Sequence, residues 1–175
     1  MTNILLLEDL PEIRSWMKAL VKQVFPNAQI HEAARVHDAL GLVSAVRFNL
    51  ALCDLGLPDG SGVDVVAALR ESQPECQSVV VTIHDDDDHL FPALQAGAFG
   101  YLLKEQAREA IAEQLKRMSQ GEPPLSPSIA RRVISHFASQ TRQQERPQNI
   151  PHVSLTDREN EVLLRVAKGF TLPEI

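Results

Sequence analysis

Five polar side chains recur up to Lys104, each placed at or just after the end of a short apolar run. Glu8 and Asp9 follow Ile4–Leu7, Asp54 closes Leu50–Cys53, Thr82 lies near the end of Ser78–Ile83, and Lys104 follows Gly100–Leu103. Three carboxylates, a hydroxyl and an ammonium are what phosphoryl transfer to an aspartate requires. One carboxylate is the nucleophile, a hard cation neutralises equatorial oxygens, and the remaining donors hold the product. Three carboxylates brought together repel and desolvate one another unless a cation sits between them. A set of oxygen ligands that the protein supplies incompletely suits Mg²⁺, which keeps several waters. Taken singly, each residue has a plainer role. Glu8-Asp9 can cap a helix, Asp54 can belong to a turn, Thr82 can reflect β-propensity, and Lys104 can be a solvated charge. Their joint occurrence at strand ends is what the plainer roles explain badly.

The elements that must position these groups can be read from hydrophobic periodicity. Asn3–Leu7, Gln29–Ala33, Leu50–Asp54, Ser78–Ile83 and Gly100–Leu103 read as strands, the β-branched run SVVVTI most clearly. Between them lie helical patterns. One starts at Pro11, which suits a first helical turn because its missing N–H has no partner there, and carries Ile13, Met17, Leu20, Val21 and Val24 on one face. Others cover Val36–Val46 and the stretch after Leu57-Pro58-Asp59-Gly60-Ser61-Gly62 to about Ser72. A fourth opens at Asp85–Asp88 and is expected to begin late because Pro92 would strain its interior, and a fifth covers Ala107–Met118. Five strand–helix repeats with short connections predict an α/β fold. It is a doubly wound parallel sheet covered on both faces, of which the flavodoxin-like order 2-1-3-4-5 is the common winding. In that winding the carboxyl ends of the strands converge on one crevice.

Charge divides the chain. Residues 1–122 hold 18 Asp and Glu against 10 Lys and Arg, whereas residues 123–175 hold 5 against 7. An acidic first part is ill suited to gripping nucleic acid, whose phosphates are met by Lys and Arg. Cys53 and Cys76 have neither zinc-site nor disulfide-framework spacing, and Cys53 should pack inward. The start of the chain turns acidic too soon for a signal peptide, and no apolar run reaches the roughly 20 residues of a membrane span. A cytoplasmic location is expected. The run Asp85–Asp88 between His84 and His89 reads as a solvated helix start rather than a metal cluster.

Beyond Glu122 the rhythm changes. Ser126-Pro127 is an N-cap with proline in the first turn, Ile129–Phe137 reads as a helix, and Ser139–His152 as a polar linker. From Leu155 a capping box, Thr156 with Glu159, opens an apolar helical face that Gly169 ends, and the start of another helix precedes Ile175.

The stretches LLLED, LALCDLGLPDGSG, VVVT and AGAFGYLLK, in this order, resemble the receiver domain of response regulators. The resemblance implies that Asp54 is the phosphoacceptor, with Glu8 and Asp9 around Mg²⁺ and the Gly56 carbonyl as a further ligand. It also implies that Thr82 and Lys104 grip the phosphoryl group and that Tyr101 is the aromatic switch. Ile83 and Glu105 depart from the usual small residue and proline at those places. The last 21 residues resemble the opening of a LuxR-type helix-turn-helix, and the combination is that of the NarL/FixJ family. The division implied is a receiver over 1–122, a helical linker over 123–152, and an N-terminal fragment of the DNA-binding domain over 153–175. The helix that reads DNA in that family would lie beyond Ile175, so no specific DNA binding is expected of this chain. A sensor histidine kinase as phosphodonor and a homodimer formed on phosphorylation are the partners implied. Two other classes fit the residues less well. An aspartyl-phosphate phosphohydrolase needs a second acid/base carboxylate close to the nucleophile, which Asp54-Leu55-Gly56 lacks. An interaction-only pseudo-receiver would have no need of the complete set of phosphorylation residues.

Overall fold

In the computed structural model, residues 2–118 and 120–144 are described, without the side chains of 139–144. The sequence-based readings of residues 145–175, including the helix-turn-helix fragment, lie outside them. The five long strands are β1 (Asn3–Leu7), β2 (Gln29–Ala33), β3 (Leu50–Cys53), β6 (Gln77–Thr82) and β7 (Gly100–Leu103). They form one parallel sheet in the order β2-β1-β3-β6-β7. The two-residue strands β4 (Gly56–Leu57) and β5 (Gly60–Ser61) pair with each other as a small separate hairpin. With that hairpin set aside, the winding is the expected 2-1-3-4-5.

Both faces of the sheet are covered, which is why the inner strands read as near-continuous apolar runs (Ile4–Leu7, Leu50–Cys53, Val79–Val81), while the edge strand β2, QIHEA, is more polar and partly exposed. Along β1, Ile4 and Leu6 face one helical layer while Leu5 and Leu7 face the other, all fully buried. The first layer is α1 (Pro11–Val24) and α5 (Arg108–Met118), through Met17, Leu20, Val21, Ile111 and Leu115. On the opposite face lie α2 (Val36–Ala45), α3 (Gly62–Ser72) and α4 (Asp87–Gln95), and the start of α6 (Pro127–Gln144) joins them through Ile129. One compact unit runs over Met1–Ser135.

Two expectations are corrected. Helix α4 does not begin late: it starts at Asp87, with Pro92 inside it. Asp86 caps it by accepting from the His89 N–H at 3.0 Å, and the hydrogen bond that proline forfeits would have gone to the carbonyl of Asp88. Both Asp88 and Pro92 are exposed, so the carbonyl left without a helical partner lies on the solvent side of the helix. Helix α6 does not stop at Phe137 but continues to Gln144, because Ser139–Gln144 contains neither glycine nor proline to end it.

Ser126 stands immediately before α6 as expected of an N-cap, yet its side chain has other partners. Its Oγ accepts from the Leu103 N–H at 3.2 Å and donates to Gln106 Oε1 at 2.7 Å. The segment before the helix follows the edge of β7. The Tyr101 N–H donates to Pro124 O at 2.8 Å, and the Ser126 N–H to Tyr101 O at 3.2 Å. This close approach needs Gly100, where a Cβ would lie 2.4 Å from Pro124.

Candidate functional site

At the carboxyl ends of β1, β3 and β7 the chain leaves the sheet with its charged groups pointing into one crevice. Glu8 and Asp9 directly follow β1, Asp54 directly follows β3, and Lys104 directly follows β7. The strand register brings them together: Leu7 lies beside Cys53, and Thr82 beside Leu103. Backbone bonds continue the ladder past the strand ends. The Asp54 N–H donates to Leu7 O at 2.9 Å, and the Lys104 N–H to Thr82 O at 2.8 Å.

The Lys104 ammonium is the centre of the cluster. Its Nζ lies 2.6 Å from Glu8 Oε2 and 2.9 Å from Asp54 Oδ2. Carboxylate oxygens of Glu8, Asp9 and Asp54 all lie within 4.8 Å of one another. Glu8 is 0% exposed and Asp54 6%, so neither charge is relieved by bulk water. Burial raises the Glu8 carboxyl above its ordinary value, even though the hydrogen bond and charge of Lys104 pull it down. Burial works to lower Lys104, but its bonds to Glu8 and Asp54 outweigh that and hold it above the ordinary lysine value. One ammonium thus pairs with two carboxylates while a third, Asp9, lies close to both. Glu8 Oε2 is met by Lys104 alone, at 2.6 Å, while its Oε1 accepts from the Leu10 N–H at 3.3 Å. Such an excess of buried oxygen donors fits a hard dication with several of its own waters.

The rest of the candidate set falls around this centre. Thr82 is fully buried, and its Oγ1 is 3.4 Å from the His84 N–H. Tyr101 is fully buried, with its hydroxyl donating to the His84 carbonyl at 2.8 Å, so its ring is turned inward. Burial, and then the charges of Asp86, Asp54 and Asp85, push that phenol well above its ordinary value. Gly56 lies on the small hairpin, paired with Ser61. Ile83, next to Thr82, is 62% exposed and lies on the surface rather than in the core. Glu8 and Asp9 do not cap α1 with their side chains. Instead their main-chain carbonyls accept from Arg14 Nη1 at 2.6 and 3.2 Å, and the cap residue is Leu10. Cys53 is buried as expected, and its thiol is pushed far up by burial.

Two supporting residues were missed by sequence reasoning. Gly62 opens α3 so close to the acceptor strand that a Cβ there would lie 1.9 Å from Asp54 O. The glycine-rich turn gave a signal, but nothing in it tells which glycine touches Asp54. Asp59 accepts from the N–H groups of Val36 at 2.8 Å and His37 at 3.0 Å, capping α2 from a distant turn. Those bonds, led by that of His37, hold its carboxyl below the ordinary range.

The model of the response regulator receiver domain matches residues 4–116. The chain belongs to the response-regulator family. Among its relatives, the transcriptional regulatory protein LiaR of Bacillus subtilis is 30% identical over 175 residues, covering all of this chain and 81% of LiaR. The nitrate/nitrite response regulator protein NarL of Escherichia coli K12 is 28% identical over 167 residues, 95% of this chain and 76% of NarL. Among solved structures, a LuxR-family two-component response regulator from Aurantimonas sp. SI85-9A1 superposes with a TM-score of 0.70 at 24% identity. It covers 79% of this chain and 99% of that one. A CheY-like receiver domain from Methanospirillum hungatei JF-1 gives 0.63 at 25% identity, over 69% and 95%. This response regulator is therefore of the NarL/LuxR type, a two-component regulator in a lineage of transcription regulators.

Proposed function

We propose that this response regulator accepts a phosphoryl group on Asp54 from the phosphohistidine of a sensor histidine kinase, in a Mg²⁺-dependent step. The observation that carries the reading is the Lys104 ammonium within 3 Å of both Glu8 and Asp54, in a crevice where Asp9 adds a third carboxylate. Glu8, Asp9 and Asp54, with the Gly56 carbonyl, would hold the ion. When bound, it would neutralise the carboxylates and the equatorial phosphoryl oxygens.

The two oxygens of Asp54 are differently held. Oδ1 accepts from the Leu55 N–H at 2.8 Å, and Oδ2 meets Lys104 at 2.9 Å. In transfer, a carboxylate oxygen of Asp54 attacks phosphorus while the P–N bond to the donor imidazole breaks; the ring nitrogen keeps the electron pair, and the proton carried on the other ring nitrogen leaves the imidazole neutral. An aspartyl phosphate and a neutral histidine result. Lys104 then passes from carboxylate to phosphoryl oxygen, and the Thr82 hydroxyl supplies a second donor. The aspartyl phosphate carries roughly −1.5 to −2 where the carboxylate carried a single negative charge, and that gain in charge and oxygen acceptors is the signal. Tyr101, between Thr82 and the start of α6 through its bonds to His84 and Pro124, is the aromatic that registers it.

The division into receiver (1–122), helical linker (123–152) and DNA-binding fragment (153–175) belongs to the same reading. So do a homodimer on phosphorylation, slow self-dephosphorylation rather than enzymatic turnover, and a cytoplasmic location. Among the described residues no helix is long and apolar enough to cross a membrane.

Incubating the chain with acetyl phosphate and Mg²⁺ is expected to add one phosphate, read by intact mass and mapped to Asp54. Asp54→Asn and Asp9→Asn are each expected to reduce incorporation to background, as is excess chelator. Undiminished labelling of Asp54→Asn overturns the assignment.

A further inference from the structure

A second cluster of metal-binding atoms lies on the loop that follows Thr82. His84, Asp86 and His89 present ligand atoms all within 4.8 Å of one another. The two imidazoles are stacked, with centroids 4.0 Å apart and planes 5° from parallel. Asp86 Oδ1 is 2.7 Å from His89 Nδ1 and accepts the His89 N–H as well. Capping α4 accounts for Asp86, but not for two imidazoles that face each other.

The surrounding charges single out this trio from the acidic run. Asp85 and Asp87 are paired with Arg132, at 3.7 and 3.0 Å, and Asp86 is left to His89. We propose that His84, Asp86 and His89 bind a transition-metal dication of the Zn²⁺ class, at a site beside the all-oxygen crevice and chemically distinct from it. His84 Nε2 lies 3.7 Å from where a Cβ on Gly56 would stand. Two imidazole nitrogens and one carboxylate oxygen are donors of the borderline kind that such ions prefer, whereas Mg²⁺ takes oxygen. Three protein ligands leave one tetrahedral position to water. Both rings reach solvent, so they can tilt from parallel to converge on the ion without repacking the core. The ion replaces the proton between Asp86 and His89 Nδ1, and the neutral imidazole carries its proton on Nε2.

The location gives the site a consequence. His84 is tied by its main chain towards Thr82 Oγ1 and by its carbonyl to the Tyr101 hydroxyl. An ion joining its ring to the cap of α4 would hold in place the segment that links those two residues. The binding itself does not depend on Asp54 being the phosphoacceptor.

The test is a titration of the 175-residue chain with Co²⁺ in excess Mg²⁺, followed by visible absorption and then by displacement with Zn²⁺. One Co²⁺ per chain is expected, displaced by one Zn²⁺. His84→Gln and His89→Gln should each weaken binding by about tenfold or more. His37→Gln and His31→Gln should leave it unchanged. Zn²⁺ should raise the melting temperature of the parent chain and not that of the His84→Gln/His89→Gln double variant, which reports binding even if the variant is less stable without metal. Absence of a Co²⁺ complex, or one that survives the double substitution, overturns the site. So does loss of binding in His31→Gln.

Discussion

The two ends of the sheet treat buried polar groups in opposite ways. At the amino end, Gln73 is 5% exposed and fully paired. Its Oε1 accepts from the Phe48 N–H at 2.7 Å, and its Nε2 donates to Val43 O and Val46 O, each at 2.8 Å. Asn3, Asn49 and Arg47 complete that seam with bonds of 2.7–2.9 Å, mostly to backbone. At the carboxyl end, Glu8 and Asp54 are as deeply buried and share one ammonium, with the Asp9 carboxylate within 4.8 Å of both. A satisfied polar network makes a joint rigid, while an unsatisfied one stores free energy that a ligand or a covalent change can release. The contrast separates the end that secures the fold from the end available for chemistry.

That contrast can be broken or sharpened by substitution. The largest effect on stability is expected at the amino end. Gln73→Leu leaves the Phe48 N–H and the Val43 carbonyl buried without their side-chain partner, and the Val46 carbonyl partly so, at a cost of about 3 kcal/mol. Denaturant melts should show it, with phosphate incorporation on Asp54 unchanged below the transition. A loss of labelling in a folded Gln73→Leu chain would mean that the two ends are not independent.

A smaller effect, of defined sign, is expected from Glu8. Its carboxyl is raised in the folded state, chiefly by burial. Folding therefore favours its protonated form, and the associated stability is present below its ordinary value of 4.5 and is lost as pH rises through the folded value. Glu8→Gln should remove that part of the loss, and Mg²⁺ should offset it in the parent chain. Urea melts over a pH series check this, and parallel pH profiles for the two proteins would contradict it. Asp59 and Asp86 do not confuse the reading, since both are lowered and act below their ordinary 3.8.

The smallest effect is expected at Tyr101→Phe, which loses only the hydrogen bond to the His84 carbonyl, about 1 kcal/mol. Labelling at Asp54 should persist. Amide exchange around His84 should quicken relative to the parent chain, and an unchanged rate there would remove the hydroxyl from the account of this loop.

Much of this protein was legible in its residues alone. Four apolar runs buried on two faces, with a more polar edge strand at Gln29–Ala33, fit a covered parallel sheet, and parallel pairing needs the crossovers that favour its winding. The positions of Glu8, Asp9, Asp54, Thr82 and Lys104 at the strand ends follow from that, because period and length are local properties of sequence. Tertiary structure alone decided which groups then meet. That Lys104 bridges Glu8 and Asp54, that Asp59 caps a helix more than twenty residues away, that Gly62 makes room for Asp54 O, and that His84 stacks on His89 are through-space facts. So are the continuation of α4 through Pro92 and the use of Ser126 to bind Leu103 and Gln106. A residue's type states which bonds it can make. Its partners are set by distances that only the packed chain supplies, and burial then decides how much each bond is worth.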